Sequence, residues 1–187
     1  MHKRIAIAAA AALVACGGGA SWVDPTSGNF TAQDSAAMMT TISGSFGAPL
    51  AMQPGPQLQG QAAKAVAVNP PPQACAISGN VTVTGNMDAS CSSSTACSFG
   101  GLLHLALNSC SAVTGVMANG GLDVGASGST NGNAFSLHET IQGGITVTRD
   151  GTLVGTCGIN VTVDLSSDGT TDTVHVSGTI CKQPVAQ

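Results

Sequence analysis

From Cys75 onward the apolar residues recur at every second position, and that period fits a strand with one buried face and rules out an amphipathic helix. Cys75, Ile77, Val81 and Val83 fall on one side, and Ser78, Asn80, Thr82 and Thr84 on the other. Leu103, Leu105 and Leu107 alternate with His104, Ala106 and Asn108, and Phe135, Leu137 and Ile141 with Ser136, His138 and Thr140. Ile145 and Val147 lead into Asp150-Gly151, a hairpin turn signal between apolar-alternating arms. With Asp150-Gly151 as a two-residue turn, Val147 faces Val154, and an extra residue near Gly155 or Gly158 is needed to keep Ile159, Val161 and Val163 on the apolar side. A last hairpin pairs 159–165 with 173–180 around Ser167-Asp168-Gly169, with Val163 opposite Val174 and Val161 opposite Val176. Residues 88–98 read as a Ser-rich loop, 113–124 as a weaker strand broken at Gly120-Gly121, and 125–132 as a Gly/Ser/Asn turn. The expected fold is mainly β: a curved antiparallel sheet of about seven strands, a meander or partly closed barrel, with one N-terminal helix.

That helix is expected over 31–47. Thr31 starts it, Asp34 completes a capping box, Met38, Met39, Ile42 and Phe46 form one apolar stripe, and Gly44 and Gly47 end it. Residues 48–74 hold six of the eight prolines and read as a Pro/Gln-rich linker closed by Pro70-Pro71-Pro72, with room for a short helix over 57–68. The β domain is expected over 75–183.

Setting Cys16 aside, six cysteines remain, and an even number in an exported chain reads as a disulfide framework. Cys91 and Cys97 flank a short polar loop, Cys157 and Cys181 lie at one end of the last hairpin, and Cys75 and Cys110 are left for each other. Strict register sets Cys181 one place beyond Cys157, so this pair calls for a bulge, with Gly178 the natural place.

The chain opens with His2, Lys3 and Arg4, then an apolar run from Ile5 to Leu13, then Leu13-Val14-Ala15-Cys16-Gly17. A basic start, a short apolar core and small residues at the cut form the layout of a secretory signal. Nine apolar residues make a helix of only about 14 Å, too short to span a bilayer core of about 30 Å. Leu13-Val14-Ala15-Cys16 resembles the lipobox of bacterial lipoproteins, in which the cysteine is acylated and becomes the N-terminus. The resemblance implies a signal peptide over 1–15 and lipidation of Cys16 with palmitate-type chains; the residues after it are small or polar with no period, and 16–30 reads as a flexible tether. Gly17, not Asp, follows the cysteine, which by the same resemblance implies sorting to the outer membrane.

Beyond residue 15 only Lys64, Arg149 and Lys182 are basic, against nine acidic residues, and the aromatics are one Trp and four Phe. No basic patch and almost no stacking ring leave nucleic acid without a binding surface. An outer-membrane barrel would want aromatic girdles that this chain cannot supply. His104, His138 and His175 occupy polar positions of their strands and could share one solvent face, but without paired metal-ligand spacing they read as separate exposed side chains. His138 and Glu139 point to opposite faces, which places Glu139 among the apolar residues, near an edge or a ligand opening. No serine sits in a GxSxG elbow, since Gly125-Ala126-Ser127-Gly128 misses the spacing, and Asp168, Gly169 and Asp172 fit turn chemistry better than a calcium loop. The expectation is a lipid-anchored cell-envelope protein with a structural or interaction role, no enzymatic site and no cofactor. Its partners are the membrane, through the lipid, and an envelope protein. The alternative is a carrier that holds a lipid or other hydrophobic ligand on the apolar sheet face.

Overall fold

The computed structural model describes residues 22–46, 64–93 and 95–186. In chain order come β1 (Ser27–Gly28), α1 (Ala32–Phe46), β2 (Lys64–Val68), β3 (Gln73–Ala74), β4 (Ser78–Cys91), β5 (Ala96–Val113), β6 (Val116–Asn131), β7 (Ala134–Arg149), β8 (Thr152–Ser167), β9 (Asp172–Ile180) and β10 (Gln183–Ala186). All strands join one antiparallel sheet in the order β10-β9-β8-β7-β6-β5-β4-β2, with β1 on β8 and β3 on β4. Among the described residues the fold is mainly β, as the alternation predicts: a curved and unclosed antiparallel sheet with a single helix near the N-terminus. The helix touches both β5 and β9, strands four places apart, so the sheet curls around it.

The strands are longer than the sequence suggests. The expected 88–98 loop is mostly ladder, because Ser90 pairs with Ser98 and Cys91 with Cys97. The expected break at Gly120-Gly121 is continuous strand, and the expected turn over 125–132 shrinks to the two residues between Asn131 and Ala134. Serine and threonine occupy the solvent side of these strands, where they need no core, and glycine is tolerated wherever both neighbours supply the ladder. The expected linker over 48–74 contains β2 and β3, which bond to β4 through their backbones (Val66 with Met87, Gln73 with Val81). The short helix expected over 57–68 is therefore strand from Lys64, and its earlier part lies outside the described residues. The expected tether over 16–30 is docked from Asp24: Thr26 N–H donates to Asp24 Oδ1 (2.8 Å), and Gly158 N–H donates to Thr26 Oγ1 (2.8 Å).

The bulge expected near Gly155 or Gly158 is present at Val154, beside Gly155, since Thr148 pairs with Leu153 but Val147 with Gly155. Gly155 has φ +148°, and a Cβ there would collide with the Ser27 carbonyl, so only glycine lets β1 reach β8. In the last hairpin Val163 faces Val176 and Leu165 faces Val174, two places from the expected register. The turn spans four residues rather than two because Asp168 Oδ1 accepts from Thr170 N–H (2.8 Å), Thr170 Oγ1 (2.7 Å) and Thr171 N–H (2.8 Å). These donors, Thr170 Oγ1 foremost, hold its carboxyl down to about 2. Ile77, assigned by alternation to the apolar face, is exposed, because Gly79 (φ +77°) lies in an irregularity between the Ser78 and Asn80 pairings.

Three disulfides cross-link the sheet: Cys75–Cys110 (Cα–Cα 5.5 Å), Cys91–Cys97 (3.9 Å) and Cys157–Cys181 (4.4 Å), the pairs assigned from the sequence. No bulge at Gly178 is needed, as β9 pairs with β8 without a break. Instead Cys181 and Lys182 both take positive φ and form the two-residue turn between β9 and β10, and Cys181 N–H donates to the Gly158 carbonyl (2.8 Å). Cys16 lies outside the described residues.

Candidate functional site: the concave sheet face

The helix is fixed at its N-terminus by the predicted capping box. Thr31 N–H and Oγ1 donate to Asp34 Oδ2 (2.7 and 2.8 Å), and Asp34 N–H donates to Thr31 Oγ1 (3.3 Å). Arg149, at the end of β7, donates through Nη2 to Asp34 Oδ1. Burial alone would raise the Asp34 pKa, but the hydrogen bonds from Arg149 and Thr31 outweigh it and hold the carboxyl below its ordinary value. Ser35 Oγ donates to the Ile180 carbonyl (3.0 Å), tying the same turn of helix to β9. Met38 and Ile42 are buried on the sheet, while Met39, expected beside them, is only half-buried; the Phe46 side chain lies outside the described residues. A cleft of about 510 Å³ opens here, lined in part by Thr31, Asp34, Val113, Val116 and Arg149. Arg149 offsets Asp34, and Asp150, also in the lining, leaves the cleft with an excess of one acid.

Along the strands, away from this anchored end, the concave face stays apolar while its cover thins. Ile145, Val147, Leu122, Ile159 and Val83 are fully buried. Further on, Met87, Leu137, Val163 and Leu165 are half-buried, and Val66 and Val174 are each 47% exposed. The helix of fifteen residues is about 22 Å long, whereas strands of sixteen residues reach about 50 Å, so α1 covers only part of the trough.

Glu139 sits at the transition. Its register partners are Ala126 on β6 and Val163 on β8, both on the concave face. It is 5% exposed, its Oε1 has no hydrogen-bond partner among the described residues, and burial raises its pKa. A buried acid without a partner is costly, because the charged form loses its water and gains nothing in return.

The convex face carries the histidines. His104 Nδ1 lies 2.8 Å from Asp123 Oδ1 and His138 Nδ1 2.6 Å from Asp164 Oδ1, while His175 stands opposite Asp164 in register. The three occupy two separate rows, and among the described residues no group of His, Cys, Asp and Glu is arranged to hold a metal ion. Ser127, His138 and Asp164 fall in one row across β6, β7 and β8. No hydrogen bond joins Ser127 to His138 among the described residues, and Ser127 lies mid-ladder between β5 and β7, where the backbone donors an oxyanion hole would need are spent on strand pairing. A neighbouring row of Ser90, Ser98, Ser129, Ser136, Ser166 and Thr173 runs strand to strand across the sheet and keeps this face solvated.

The chain matches no family model, no curated protein and no solved structure. The concave position of Glu139 is legible from its parity with Leu137 and Ile141. The Arg149–Asp34 contact and the Ser127, His138, Asp164 row join residues distant in sequence, and no local pattern announces either.

Proposed function

We propose that this chain is a lipid-anchored protein of the bacterial cell envelope, held at the outer membrane through Cys16, whose folded part binds and does not catalyse. Leu13-Val14-Ala15-Cys16-Gly17 supports the anchor, and three disulfides suit an oxidising compartment. Of the two binding roles, carriage of a hydrophobic ligand has more support than a purely structural or interaction role. The observation that carries it is the apolar concave face, which continues past Glu139 beyond the reach of the helix. Growth of cells with a palmitate analogue tests the anchor: the wild type should be labelled and partition with membranes, and Cys16→Ser should be neither. Labelling that persists in Cys16→Ser would overturn it.

A further inference from the structure

We infer that the concave face takes an amphiphile with a cationic, hydrogen-bond-donating head, and that Glu139 is the residue that receives that head. The inference rests on the carrier reading and names its ligand class.

Three observations converge on this position. Glu139 Oε1 is buried with no donor among the described residues, so its acceptor capacity is unspent there. Its cross-strand neighbours, Ala126 and Val163, are apolar and offer no donor, and the described ion pairs of the chain all lie elsewhere. One rank further along the concave face stand Leu137, Leu165 and Val174, in register with one another, the two leucines half-buried and the valine exposed, which is the surface an alkyl chain would cover.

Charge complementarity selects the head. An anionic head would set two negative charges together in an apolar setting, and a neutral hydroxyl head would supply a donor but no opposite charge. An ammonium supplies both the opposite charge and the missing donor, and a charge-assisted hydrogen bond out of water is among the stronger polar contacts. The apolar rank then holds the body of the ligand while Glu139 fixes its orientation.

Calorimetric titration of the full chain carrying Cys16→Ser with decylamine, decanol and decanoate tests this. Decylamine should bind at least about tenfold more tightly than decanol, with decanoate weakest. In Glu139→Gln the three should converge while decanol affinity stays within about twofold of the parent, since the apolar rank is untouched. Leu137→Arg, which leaves the carboxylate in place, should weaken all three by placing a charge in the rank. Equal affinity for decylamine and decanol in the parent protein would overturn the role of Glu139 and leave the carrier reading standing. Absence of binding by all three probes would overturn both.

Discussion

Arg149, the last residue of β7, donates a hydrogen bond to Asp34 in the first turn of α1, and this pair fixes the helix at one end of the curved sheet. Asp34 is buried and accepts from Thr31 as well, so removing the guanidinium would leave a carboxylate with only part of its charge compensated. Arg149→Met is expected to cost about 1–3 kcal/mol, below the range for a fully buried pair because Arg149 is itself partly exposed. Since the folded chain holds the Asp34 carboxyl below its ordinary 3.8, this contribution is present above that value and lost as pH falls through the folded pKa. Urea melts of parent and Arg149→Met at pH 7 and in acid below the ordinary Asp value should therefore converge toward the acid end; a constant difference would argue against the ion pair.

The helix side of the core gives a paired comparison. Met38 is fully buried against the sheet, whereas Met39 is half-buried. Met38→Asp should cost several kcal/mol through loss of packing and burial of a charge, and Met39→Asp clearly less, because its carboxylate can turn to water. Thermal melts of the two variants check the order.

Glu139 should be a net liability to folding. Burial raises its pKa, so between the ordinary 4.5 and the raised value the folded chain keeps a proton that the unfolded chain has released, and above that window it holds an uncompensated anion. Stability then falls as pH rises from the ordinary 4.5 through the raised value. Glu139→Leu is expected to stabilise the protein at pH 7 by about 1–3 kcal/mol and to flatten that slope. Denaturant midpoints measured from pH 4 to 8 in both proteins test it; a destabilised Glu139→Leu would show that the carboxylate has a partner in the free protein.

Much of this architecture is legible in the sequence, and the boundary between legible and hidden has a physical basis. Period-two alternation in 103–107, 135–141 and 159–165 identifies the concave face because one side of each strand must leave water. Parity alone sets Glu139 on that face. The serine-rich and glycine-rich stretches misled, since pairing through 88–91, 96–98 and 125–131 is a backbone property that needs no apolar side chain. The last hairpin slipped by two places because the Asp168 carboxylate, not the dipeptide Asp168-Gly169, sets the turn length. β2, in a proline-rich setting, and the docked segment from Asp24 depend on a sheet edge that no local pattern reveals. Arg149 could be read only as a charge beside a turn.

The disulfides should contribute in the order of the loops they close. Cys75–Cys110 spans 35 positions, Cys157–Cys181 spans 24 and Cys91–Cys97 only 6. Loop-closure entropy gives about 3–4 kcal/mol for the two longer bridges and less for the shortest. Paired Cys→Ala variants, compared by denaturant titration, should follow that order, and the unreduced, unfolded domain should show no reactive thiol apart from Cys16.

The most direct test of the account is what the protein carries out of the cell. The full chain with Cys16→Ser, purified without detergent, is extracted into organic solvent and the extract weighed by mass spectrometry against the protein. Close to one amphiphile per chain is expected, reduced at least several-fold in Leu137→Arg. A folded, monodisperse parent protein that yields no bound amphiphile would contradict the carrier role of the concave face.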